Sequence, residues 1–111
     1  MIRKIWSDEI PPFARERMLL DLPESETIAI GYVALQPGES TDIGLHDDEE
    51  EAYVVLSGKA RLMLGDRFDE LEKGAVVYVP RNTPHRMTCI SDAPLEYLYF
   101  ANYPDLKKTR N

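Results

Sequence analysis

GLHDDEEEAYVVLSG, residues 44–58, is the stretch on which the fold turns. It sets His46 in front of five consecutive acids, Asp47 to Glu51, and then becomes apolar without a break. Like charges held this close repel, so either the run is solvated or some of its carboxylates face a positive partner. The apolar half, Ala52 to Leu56, has the β-branched and aromatic composition of a strand, and the turn pair Ser57-Gly58 closes it. Glu51 therefore opens a strand, and His46 lies on the approach to it.

The same rhythm continues outward in both directions. Turn signals recur at Pro37-Gly38, Gly65-Asp66, Lys73-Gly74, the stretch PRNTP at 80–84, and Ser91-Asp92-Ala93-Pro94. A spacing of about ten residues suits strands and not helices. Between the turns lie IAIGYVAL at 28–35, ARLML at 60–64, AVVYV at 75–79, HRMTCI at 85–90 and LEYLYF at 95–100. Together with 52–56 they predict about six or seven strands in an all-β fold, a small antiparallel barrel or jelly roll. AVVYV is apolar at every position, which predicts a strand buried on both faces. Residues 1–24, interrupted by Pro11, Pro12 and Pro23, predict an edge strand followed by irregular chain. The segment 103–111 turns polar after Leu106 and is expected to fray.

Composition bounds what such a domain does. At 111 residues the chain closes one hydrophobic core and not two, so residues 1–111 are expected to form one domain. Twenty acids against 13 bases, a net charge of -7, disfavour a nucleic-acid partner, because phosphate binding needs clustered lysine and arginine. The single cysteine, Cys89, forms no internal disulfide, and the charged, proline-broken N-terminus does not read as a secretory signal, which points to the cytoplasm. No apolar run approaches the roughly 20 residues of a membrane helix.

The only two histidines, His46 and His85, both stand beside strand boundaries. Taken singly, a histidine is more often a surface or hydrogen-bonded residue than a ligand. Spacing changes the weight. Gly38, five residues, Gly44, Leu45, His46, four residues, Glu51, six residues, Gly58 form one series; Gly74, five residues, Pro80, then Asn82, His85 and, three residues on, Cys89 form a second. With fifteen residues between them, the two series resemble the paired motifs of the cupin superfamily across about residues 28–101. Gly44 stands where that family carries its first histidine, Asn82 where a glycine is usual, and Cys89 where an asparagine is usual.

The resemblance implies a double-stranded β-helix, or jelly-roll barrel, with residues 28–101 as the barrel and 1–24 as an arm. It implies one divalent transition metal held by His46, Glu51 and His85, with identity open among iron, manganese, nickel, zinc and copper. Asp48 is the leading candidate for a fourth ligand, with Asp42 or Glu50 behind it, while Asp47, Glu49 and Glu50 are expected to be a solvated loop. Strand alternation places Tyr53, Met87 and Cys89 on the ligand side, and Tyr99 on the last strand joins them as candidate pocket residues. The function implied is a metal-dependent dioxygenase, or an isomerase or cyclase of sugar-like substrates, acting on a small oxygen-rich molecule. A barrel that binds or senses a small ligand without reaction is the alternative. Small cupins are as a rule dimers, so a homodimer is expected.

Overall fold

Strand composition and evenly spaced turns give eight strands and one helical turn in the computed structural model, which describes residues 1–106. The elements are α1 (Trp6–Glu9), β1 (Glu16–Leu20), β2 (Ile28–Leu35), β3 (Glu50–Ser57), β4 (Lys59–Leu64), β5 (Arg67–Glu72), β6 (Val76–Val79), β7 (His85–Cys89) and β8 (Leu95–Asn102). All pairings between them are antiparallel, in a five-stranded sheet of order β1-β2-β8-β3-β6 and a three-stranded sheet of order β5-β4-β7. The all-β jelly-roll class expected from the sequence is the observed one.

Alternation along each strand builds the core between the sheets. Tyr53 and Val55 of β3, Val79 of β6, and Leu95 and Tyr97 of β8 meet Ala60 and Leu62 of β4, Leu71 of β5, and Met87 and Cys89 of β7. Their intervening neighbours point outward. A fully buried aliphatic side chain such as Leu95 contributes about 1.5–3 kcal/mol by leaving water.

Residues 39–44 extend the smaller sheet along the free edge of β7. Thr41 N–H donates to Met87 O at 2.9 Å and Cys89 N–H to Glu39 O at 2.9 Å, and Gly44 and His85 exchange bonds of 2.9 and 3.0 Å. The chain thereby covers an edge that would otherwise present unpaired amides, and it brings Gly44 against the first residue of β7.

Four expectations differ in detail. The strand count is eight because RFDELE at 67–72 forms β5, which buries only Leu71 and so shows no apolar alternation. The stretch at 75–79 is not covered on both faces: β6 is the last strand of its sheet, and Val76 and Tyr78 are exposed. In the N-terminal segment a helical turn also precedes the edge strand, while residues 21–27 after it form the expected irregular chain of turns and bends. Trp6 stacks on Tyr32 at 5.6 Å, and with Ile10 it covers the outer face of the large sheet over Leu19, Tyr32 and Ala34. Tyr103, at the start of the expected frayed segment, donates its N–H to Thr27 O at 2.8 Å; residues 107–111 lie outside the described ones. Among the described residues no helix is long and apolar enough to cross a membrane.

Candidate metal centre

Three backbone devices bring the two histidines and the glutamate together. Glu51 sits near the start of β3 between Val79 of β6 and Ala101 of β8, and strand parity turns it inward with Tyr53 and Val55. His85 opens β7 and is fixed by its backbone exchange with Gly44. His46, on the loop before β3, accepts at its carbonyl the N–H of Asn82 at 2.6 Å. Asn82 has φ 59°, a left-handed backbone open to glycine and asparagine, so the substitution at this motif position keeps the turn.

The side chains then converge. Glu51 Oε1 lies 3.1 Å from His85 Nε2 and 3.9 Å from His46 Nε2, and one ligand atom from each of the three falls within 4.8 Å of the others. The imidazole centroids are 5.3 Å apart. His85 Nδ1 lies 2.9 Å from Thr83 O; a carbonyl only accepts, so Nδ1 carries the proton and Nε2 of the neutral ring presents a lone pair. This backbone contact fixes tautomer and ring plane in the manner usual for metal-binding histidines.

Glu51 Oε1 is buried and has no hydrogen-bond donor. The lone-pair nitrogen of His85 lies 3.1 Å away, so a carboxylate oxygen and two imidazoles face one another across a gap that a proton or a cation satisfies. With a proton, the ion pair to Glu51 raises the pKa of His85, against the opposing effect of burial. Three nitrogen and oxygen donors around an uncompensated buried charge are also what a divalent transition ion needs, so the residues present fit such an ion.

Beside this cluster is a cavity of about 240 Å³ lined by Glu16, Val33, Thr41, Asp42, Gly44, Tyr53, Tyr97 and Tyr99 together with the three candidate ligands. It is smaller than the roughly 300–1,000 Å³ of drug-sized pockets. Gly31 makes part of it: a Cβ there would meet Tyr99 Cζ at 2.2 Å, so only glycine lets that ring lie across β2. Burial, then the charge of Glu51, raises the pKa of Tyr53 and Tyr97; Tyr99 is raised by burial and by Glu16. All three stay phenols that donate hydrogen bonds. A larger cleft of about 690 Å³, between the α1 region and the outer face of the large sheet, is lined by Trp6, Phe13, Tyr32 and Glu96. There the Glu96 carboxylate is already engaged by the hydroxyls of Tyr32 and Ser57.

Several sequence expectations sort out here. His46, Glu51 and His85 are brought together, and Tyr53 and Tyr99 line the cavity. Met87 and Cys89 do not line it: they lie further along β7, each 1% exposed, packed into the core, with the Cys89 thiol turned to Ser91 and Ala93 at the far end. Asp48 is exposed and outside the cluster, and Asp42 lines the cavity without joining the three. Glu50 points to the outer face, where Tyr78 Oη and Asn102 Nδ2 donate to it at 2.9 and 3.0 Å and lower its pKa. Glu49, expected to be solvated, is instead 8% exposed, with Oε1 3.3 Å from His46 Nε2. Its parity with Glu51 and Tyr53 was the available signal. Glu16 was also missed; it reaches the cavity only through the pairing of β1 with β2, which leaves no mark in sequence.

Comparison with known proteins agrees with this geometry. The profile of the family described as "Cupin domain" matches residues 31–100. An uncharacterized protein of Methanocaldococcus jannaschii is 34% identical over 67 residues, which cover 60% of this chain and 53% of that protein. Oxalate decarboxylase OxdC of Bacillus subtilis is 29% identical over 93 residues, 79% of this chain and 24% of the enzyme. The polyketide cyclase RemF of Streptomyces resistomycificus superposes with a TM-score of 0.76 at 25% identity, covering 92% of this chain and 79% of that one. The chain thus spans about half of the first relative and a quarter of the second.

Proposed function

The chain belongs to the cupin family, and from that premise we propose that it binds one divalent transition metal through His46, Glu51 and His85 and works as a metal-dependent enzyme on a small oxygen-rich molecule. The observation that carries this reading is the buried, donor-less Oε1 of Glu51 held between two imidazoles at the wall of a cavity. When bound, such an ion supplies Lewis acidity to two substrate oxygens and, if it is iron or copper, a place for dioxygen. A dioxygenase and an isomerase or cyclase are the two reaction classes that follow; relatives that are a decarboxylase and a cyclase support the enzymatic reading.

The chain's own residues bind and orient. Tyr53, Tyr97 and Tyr99 offer phenolic donors to substrate oxygens, and Glu16 and Asp42 accept from hydroxyls at the far side. Among the described residues no lysine or arginine lines the cavity, which favours an uncharged, hydroxyl-bearing substrate over a phosphorylated one. A homodimer goes with this reading, supported by the exposed apolar strip of Ile28, Val76 and Tyr78, and a solution mass near that of one chain would end that part.

The second reading is a non-catalytic barrel that binds a small molecule. The glycine at position 44, where the family carries a ligand, favours it. Metal analysis of purified protein separates the two: near-stoichiometric metal that is lost in His46→Ala and His85→Ala supports the enzyme, and wild-type protein that takes up no divalent transition metal rejects it.

A further inference from the structure

We propose that Glu49 supplies the fourth protein donor of the metal centre, in place of the histidine that the family carries at the position of Gly44; the inference rests on the three-residue site proposed above. Position 44 itself has no room for a donor. A Cβ there would stand 2.6 Å from His85 Nε2 and 3.2 Å from His46 Nε2, inside the space the ligand atoms occupy. The imidazoles have closed over the glycine, and a fourth ligand must come from elsewhere.

Glu49, immediately before β3, meets the requirement. Of the five consecutive acids, Asp47 and Asp48 are exposed and Glu50 is turned to the outer face, whereas Glu49 and Glu51 are buried at 8% and 9%. Their i, i+2 spacing puts them on one side of the extended chain, continuing the inward face of Tyr53 and Val55. Burying two carboxylates two residues apart is unfavourable unless a cation lies between them. Glu49 Oε1 is 3.3 Å from His46 Nε2. Two donors at about 2.1 Å from one ion, at angles between square and tetrahedral, stand about 3–3.4 Å apart. The phenol of Tyr103 stands close enough to Glu49 for that carboxylate to help, after burial, to raise the phenol's pKa, and ligating carboxylates receive neighbours of this kind. Glu49 lies outside the group of three whose ligand atoms fall within 4.8 Å of one another, so its side chain must rotate toward them to complete the set.

The consequence is chemical. Two imidazoles and two carboxylates around a divalent ion give a centre of zero net charge and harder donor character than three imidazoles and one carboxylate. Such a set favours manganese or ferrous iron relative to copper, and a neutral centre attracts an anionic substrate less, in keeping with a cavity that holds Glu16 and Asp42 and, among the described residues, no lysine or arginine.

The test uses the full chain with Mn2+ and Co2+ as probes. Mn2+ affinity is measured by calorimetry and by the EPR signal of free Mn2+, and the visible spectrum is recorded at saturating Co2+, for wild type, Glu49→Gln, Glu51→Gln and Asp48→Asn. One site per chain is expected in wild type. Glu49→Gln should weaken Mn2+ binding at least tenfold and alter the Co2+ bands, while Asp48→Asn stays within twofold. Wild-type affinity in Glu49→Gln, or weakened binding with an unchanged Co2+ spectrum, overturns Glu49 as a donor and leaves the three-residue centre standing. No binding in wild type, or no loss in Glu51→Gln, overturns the centre itself and the inference with it.

Discussion

Replacing Gly44 with alanine adds one methyl group at the most crowded point of the site. The new Cβ would lie 2.6 Å from His85 Nε2, 3.0 Å from His85 Cε1 and 3.2 Å from His46 Nε2. Restoring an ordinary contact of about 3.4 Å requires His85 to retreat by about 0.8 Å. The ring has little freedom to do so, because Nδ1 is tied to Thr83 O at 2.9 Å and the residue is 7% exposed. Overpacking of this kind costs about 1–3 kcal/mol, a fall in Tm of roughly 3–6 °C per kcal/mol for a domain of this size. Metal binding should suffer more than stability, since ligand positions must hold to about 0.2 Å and misplacing a ligand costs about 10–100-fold in affinity. The assay is Mn2+ and Zn2+ titration of Gly44→Ala, with thermal melts of the cation-free protein alongside. Affinity within twofold of wild type would refute the reasoning. The same contact predicts that Gly44→His does not strengthen binding despite supplying the family's usual residue.

Gly31→Ala places a Cβ 2.2 Å from Tyr99 Cζ and should destabilise by about 1–3 kcal/mol in chemical denaturation; a neutral result would mean Tyr99 does not lie across β2. Asn82, at φ 59°, should accept glycine within about 0.5 kcal/mol but lose about 1–3 kcal/mol on change to valine, and equal stabilities of the two variants would contradict the left-handed turn that holds His46. In the cation-free protein the raised pKa of His85 contributes stability that is full below its ordinary value of 6.5 and is lost as pH rises through the raised value. Thermal melts between pH 5 and 9 should show that decline in wild type, and a His85→Gln variant with the same decline would assign it elsewhere.

The stretch 44–58 and its partner at 74–89 were enough to place strands and turns, because alternation and turn chemistry are local; that His46, Glu51 and His85 converge was what the family resemblance implied. Locality also explains the errors. β5 was invisible because an edge strand over a small core buries only Leu71, and AVVYV looked doubly buried because residue type does not reveal that no strand lies beyond β6.

By itself, then, the sequence determined the β class, the two-motif frame and the identities of His46, Glu51 and His85. Only the tertiary structure decided that Glu49 is buried where Asp48 is not, that Glu16 reaches the cavity while Met87 and Cys89 leave it, and that Gly44 has no space for a side chain. Those outcomes depend on which surfaces separate strands press together. Contacts between residues as far apart as Gly44 and His85, and the meeting of Glu16 and Tyr99 at one cavity, arise from register between strands, which no local pattern encodes.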